Sequence, residues 1–206
     1  MIKLPTIISQ RDPMWASQKL GNSGLSVGDW GCTLISCIMA SQAFGKPVYV
    51  LGTLAKMNQE GGFSSGGSLN WLIIAEMLGI DFAYRWETDA DPTNRFERIH
   101  EIDGFRHIEW LASVGIPTVV FVDTNHDAKP NHWVVYVGDG MVVDPWDAQT
   151  KPLSAFERLY GYAIFTGTPV LSGGKFAAFV GKANEIAHGR NVELNAKEIM
   201  QTVSRP

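Results

Sequence analysis

His132-Trp133-Val134-Val135-Tyr136-Val137-Gly138-Asp139-Gly140-Met141-Val142-Val143-Asp144 has the pattern of a β-hairpin. Two β-branched and aromatic runs flank a Gly-Asp-Gly tripeptide, the composition of two antiparallel strands joined by a tight turn. Twelve residues separate His132 from Asp144, about the length at which such a hairpin brings its far ends side by side. Pro145 then ends the second strand abruptly.

Working outward from the hairpin, Thr118-Val119-Val120-Phe121-Val122 has the same β-branched character. Asp81 to Trp86 alternates, and Tyr162 to Thr166 reads as a closing strand. Helical spacing dominates the first half. From Cys32 to Phe44 the apolar residues Leu34, Ile35, Ile38, Met39 and Ala40 recur at helical intervals, with Gly45 and Pro47 as a stop. Val50 to Gln59 forms a second expected helix. A third runs from a Ser68 cap through Leu69, Leu72, Ile73 and Met77 to Gly79. Shorter helices are expected at Arg106 to Ser113 and Leu153 to Leu159, while residues 1 to 31 are turn-rich and irregular. Helices first and an antiparallel meander afterwards make an α+β chain, with N-terminal helices packed on an antiparallel β-sheet.

The 206 residues suit one compact domain over 1–168 and a helical tail over 169–206. The tail follows Pro169 and Gly173-Gly174, and carries Phe176, Val180, Ala183 and Ile186, then Ile199 and Val203 after an Asn195 cap. It is too short for a domain, and is expected to pack on the body or dock a partner. Hydrophobic residues are 45% and charged residues 18%, with a net charge of -4 and no Lys/Arg block. This argues against nucleic acid or an anionic membrane as partner. The N-terminus has no apolar signal-like run, and no stretch approaches the roughly 20 residues of a membrane span. A cytoplasmic protein is expected, and carriage in a virus particle or release by lysis is compatible with that.

The chemistry begins at Cys32. It stands directly after Gly31 at the start of an expected helix, where unpaired N–H groups and the helix dipole favour a thiolate. Cys37, one turn deeper among Ile38 and Met39, fits a buried apolar residue instead. Five residues apart on one helix, the two α-carbons would be roughly 8 Å apart, too far for a disulfide. Of the five histidines, His100, His107, His126 and His188 lie in charged or polar segments and are expected at the surface. His132 opens a strand and is followed by apolar residues. A base at the lip of a sheet can reach a helix-tip thiol. Asp144, at the far end of the hairpin, can accept the imidazole N–H and fix its tautomer.

Gln10, then Trp30-Gly31-Cys32-Thr33-Leu34, Asn131-His132-Trp133-Val134-Val135 and Val143-Asp144-Pro145-Trp146 together resemble the C39-like branch of papain-fold cysteine peptidases. Leu54, Asn58, Gly61-Gly62-Phe63, Leu69-Asn70-Trp71 and Gly115-Ile116-Pro117 extend the resemblance, which covers residues 7 to 166. It departs after the nucleophile position. The family run is closer to Cys-Gly-Pro-Thr, whereas this chain reads Cys32-Thr33-Leu34-Ile35. The resemblance implies a papain-like fold and a thiol hydrolase with Cys32, His132 and Asp144 as catalytic residues. It also implies a glutamine that helps hold the oxyanion. Gln10 matches that position, and Gln18 competes for it.

The expected substrate is a peptide or protein, with peptidoglycan, as for a cell-wall lysin, as the alternative. A non-catalytic papain-like binding or virion module is the rival class. No cofactor is implied. Asp123-Thr124-Asn125-His126-Asp127 alternates like a calcium loop, but Ala128 replaces the needed glycine and Val134 the closing glutamate. The segment reads better as a polar hairpin tip. The two cysteines lack zinc-ligand spacing, and no metal is expected. Trp30 and Trp146, beside the site residues, are the best candidates for a cleft wall. Most other aromatics are expected in the core.

Overall fold

The computed structural model describes residues 1–90, 98–156 and 158–167. The expected boundary at 168 and the tail 169–206 lie outside them. Five α-helices are described: α1 Val27–Trp30, α2 Cys32–Ser41, α3 Val50–Gln59, α4 Trp71–Leu78 and α5 Glu101–Ser113. The strands are β1 Asp81–Thr88, β2 Arg98–Ile99, β3 Thr118–Val122, β4 His132–Gly138, β5 Met141–Asp144, β6 Gln149–Pro152 and β7 Leu159–Thr166. They form one seven-stranded sheet in the order β2-β1-β7-β3-β4-β5-β6. The chain is therefore α+β. Every pairing is antiparallel except that of the edge strand β2, which runs parallel to β1 and corrects the purely antiparallel expectation.

Side-chain alternation puts helices on both faces. Trp133 of β4 and Phe165 of β7 meet Trp71 of α4. Three residues away on each strand, Tyr136 and Tyr162 point to the other face, where they meet Glu109 and His107 of α5. An odd offset on a strand demands this reversal. α2 is buried along its whole length apart from Thr33, as an all-round apolar helix must be. Its Ser36 hydroxyl donates to the Trp133 carbonyl at 3.0 Å, pinning α2 to β4.

Several expected boundaries move. The cap of α4 is Asn70, whose side chain accepts the Leu72 and Ile73 N–H groups. Ser68 is displaced from that role because Leu69 bridges to Phe63 and holds the preceding chain extended. The helix expected at Leu153 to Leu159 is only a 3-10 turn, Leu153–Ala155, and Leu159 already belongs to β7. α5 begins at Glu101, five residues before the expected start at Arg106, because its first turns leave Ile102 and Phe105 exposed and hide the apolar stripe. The chain before Cys32 contains the short α1, capped by Ser26. β6 was not anticipated.

The decisive hairpin forms as read. Gly138, Asp139 and Gly140 all have positive φ (96°, 56° and 68°), the conformation a tight turn between twisted strands requires. Among the described residues no helix is long and apolar enough to cross a membrane.

Candidate active site

The open end of β4 and the N-terminus of α2 meet, and this brings the expected residues together. Cys32 and Ser36 lie one turn apart on the same side of α2. The Ser36–Trp133 bond therefore fixes Cys32 opposite the start of β4. The thiol is only 9% exposed. Burial alone would raise its pKa, but hydrogen bonding and charge from His132, the Trp133 backbone N–H and the Thr33 hydroxyl outweigh it and draw the pKa below the ordinary value.

His132 and Asp144 are joined by a 2.7 Å contact from Nε2 to Oδ1. With Nε2 committed to the carboxylate, Nδ1 is the nitrogen left for the Cys32 thiol. The pairings Val135↔Val143 and Tyr136↔Val142 put Asp144 level with Val134, two residues along from His132 and on the same face. A register shift between Tyr136 and Gly138 sets this offset. The two ends thus meet diagonally rather than directly opposite. Burial disfavours the imidazolium, yet the Asp144 and Cys32 partners prevail and raise the His132 pKa to about 9. Burial likewise opposes the Asp144 carboxylate, while His132, Lys151 and the Trp146 N–H bring its pKa down to about 2.

Lys151 of β6 was missed by sequence reasoning. Its ammonium lies 2.7 Å from Asp144 Oδ2 and 2.7 Å from Asp147 Oδ2. The signal for it is faint: Asp147 four residues before Lys151, after the Asp144-Pro145 exit, suggests a return strand.

Gln10, not Gln18, reaches the site. Gln10 is 1% exposed, and its backbone N–H donates to the Pro145 carbonyl at 2.7 Å. Its Nε2 donates to the Gly28 carbonyl at 2.9 Å in α1, just ahead of Cys32, and keeps a second N–H. Its buried Oε1 has no hydrogen-bond partner. Gln18 is exposed. Trp30 and Trp146 are among the exposed large apolar residues, at 61% and 41%, and the Arg11 guanidinium lies 4.6 Å from the Trp146 ring centroid.

The other sequence candidates are separated from this cluster. Cys37 is fully buried and its thiol pKa is pushed well up by burial and by Cys32. His107 corrects the surface expectation: it is half-buried, contacts the Tyr162 hydroxyl at 2.8 Å, and burial lowers its pKa to about 4. Asp123 is buried at the base of the β3–β4 hairpin tip. Its Oδ1 accepts the Asn125 and His126 N–H groups at 2.8 and 3.1 Å, so that oxygen serves the loop's own backbone. No cluster of three or more His, Cys, Asp or Glu suited to a metal occurs among the described residues.

Two expected results follow from this geometry. A Cβ on Gly31 would sit 2.5 Å from the Val27 carbonyl oxygen and 2.7 Å from Val27 Cγ1. Gly31→Ala should therefore cost about 1–3 kcal/mol and slow Cys32 alkylation, as denaturant titration and thiol labelling can measure. The second concerns pH. His132 alone adds stability that is complete below 6.5 and is lost as pH rises through about 9. Cys32, with its lowered pKa, adds stability that grows with pH up to its ordinary value of 9.0. Between 6.5 and 9 the two slopes oppose each other, because the proton has only moved from sulfur to imidazole. Wild-type stability should therefore fall less steeply with rising pH in this window than that of Cys32→Ala. Cys32→Ala should unmask a decline with rising pH, measurable by urea unfolding.

No protein-family model, curated protein or solved structure matches the chain.

Proposed function

We propose that the protein is a papain-like cysteine hydrolase, similar to the C39-like branch, that cleaves a peptide or amide bond through an acyl-thioester on Cys32. The observation that carries this reading is the continuous chain from Cys32 at a helix tip through His132 to Asp144. A thiol with lowered pKa facing an imidazole with raised pKa is a nucleophile–base pair ready for transfer.

In this account His132 Nδ1 holds the Cys32 proton, and the thiolate attacks the carbonyl carbon to form a C–S bond. The charge moving onto the carbonyl oxygen is held by the Cys32 backbone N–H and the second N–H of the Gln10 amide. His132 then protonates the leaving nitrogen, the C–N bond breaks and an amine departs. A water molecule gives its proton to His132 and attacks the thioester. The C–S bond breaks, the carboxylic acid departs and gives its proton to solvent, and the Cys32 thiolate again faces protonated His132. Asp144 accepts from Nε2 throughout, so that Nδ1 keeps facing sulfur.

Peptide and peptidoglycan substrates are separated by incubating wild type and Cys32→Ala with casein and with purified cell walls. Cleavage of either by wild type alone is expected. Casein cleavage without wall clearing identifies a peptidase, and the converse a lysin. Equal inertness of wild type and variant toward both, together with an unreactive Cys32, would contradict hydrolysis and favour a binding module.

A further inference from the structure

Asp144 does not face His132 alone. Its second oxygen accepts from the Lys151 ammonium at 2.7 Å, and the same ammonium reaches Asp147 Oδ2 at 2.7 Å. The placement follows from the strands. β6 returns along β5 with Val142 opposite Lys151 and Asp144 opposite Gln149. Cross-strand partners share a face, and Val142 shares its face with Asp144, so Lys151 projects on the side of Asp144. The turn between the strands is compact. Ala148 takes a left-handed φ of 57°, its N–H donates to the Asp144 carbonyl at 2.9 Å, and Asp147 Oδ1 accepts the Gln149 N–H at 3.2 Å. Asp147 is thereby held where it fixes the other side of the ammonium.

Resting on the proposed hydrolase reading, we propose that Lys151 is a positioning residue: held between Asp144 and Asp147, it turns Asp144 Oδ1 toward His132 and keeps that carboxylate ionised in acid. Asp144 is only 3% exposed, so water cannot readily supply the same service. The charged groups around it are His132 from β4, Lys151 from β6, Asp147 in the turn behind Lys151, and Cys32 from α2 beyond the imidazole. Lys151 is the one cation among them that carries no proton needed by the reaction. A cation within hydrogen-bond distance of a carboxylate favours its ionised form. A bridge to two carboxylates, one of them in a turn, also restrains rotation of the Asp144 side chain.

The test follows the rate of Cys32 alkylation by iodoacetamide across pH, read by mass spectrometry of the Cys32 peptide, for wild type, Lys151→Met, Lys151→Gln and Lys151→Arg. It needs no knowledge of the substrate. Lys151→Met and Lys151→Gln should move the acid limb of the profile upward by about one pH unit, slowing alkylation on that limb by about tenfold with little change at pH 8. Lys151→Arg should restore the wild-type limb, because guanidinium can also bridge two carboxylates. A role confined to strand stability would lower thermal stability and leave the limb in place, and that result overturns the proposal. Profiles of Lys151→Met and wild type that superimpose overturn it as well, while the activated wild-type thiol leaves the hydrolase reading standing. A wild-type Cys32 that reacts only like an ordinary thiol removes both.

Discussion

Cys32→Ala is expected to remove essentially all rapid labelling of the folded protein by iodoacetamide near pH 6. Hydrolysis should fall by a factor on the order of 10⁴ or more, since loss of a nucleophile removes the covalent route altogether. The prediction is sharp because the second thiol cannot substitute. Cys37 is 0% exposed and burial pushes its pKa well up, so it is both screened from reagent and protonated. The fold should survive, because alanine keeps the Cβ at the α2 N-terminus and Ser36 still binds the Trp133 carbonyl. Circular dichroism and labelling of the variant check both parts. Rapid labelling that persists in Cys32→Ala would mean that the reactive thiol is Cys37 and that the site is misassigned.

His132→Ala has the next largest expected effect. Without the imidazole the thiolate loses its main partner, its pKa returns upward, and the leaving amine has no proton donor. Hydrolysis should drop on the order of 10³–10⁴-fold, and alkylation near pH 6 should fall to the rate of an ordinary thiol. Removing one member of a buried ionic pair often unfolds a protein by stranding the other. Here Asp144 keeps Lys151 at 2.7 Å and the Trp146 N–H at 2.8 Å, so a folded variant is expected. Asp144→Asn should be milder, because an amide oxygen can still accept from Nε2. Steady-state assays and the alkylation profile rank the three variants. If His132→Ala alkylates as fast as wild type, the imidazole is not the partner of the thiol.

The sequence made some of this legible and hid the rest for physical reasons. β3 at Thr118–Val122 and α3 at Val50–Gln59 coincide with their expected ranges. In β3 the β-branched run is continuous, and in α3 a Gly-Gly pair marks the end. The 132–144 hairpin was readable because three successive residues in its turn accept positive φ. β6 was not, because Gln149-Thr150-Lys151-Pro152 is largely solvent-facing and has no apolar alternation. Its pairing partner specifies it, not its own composition. The loss of β6 hid Lys151 as well.

The same distinction runs through the site. Cys32 and His132 announce themselves through their neighbours, a glycine-rich approach and an apolar strand. Asp144 could be placed only once the hairpin was accepted, and its diagonal meeting with His132 depends on a register shift that composition does not encode. Gln10 and Gln18 are equivalent as residue types. What separates them is tertiary: Gln10 is held against Pro145 and Gly28, while Gln18 remains outside. Trp30 and Trp146, expected beside the site, are both exposed. The inward turn of His107 could not be read, because the half of α5 that precedes it looks polar and presents Ile102 to solvent.

In the proposed site Cys32 and His132 share a proton as a thiolate–imidazolium pair, which ultraviolet thiolate absorbance titrated with pH in wild type against Cys32→Ala reads directly. A difference signal equal to one thiolate, already present near pH 6, is expected. A difference signal that appears only as the pH approaches the ordinary thiol value of 9.0 would contradict that pairing.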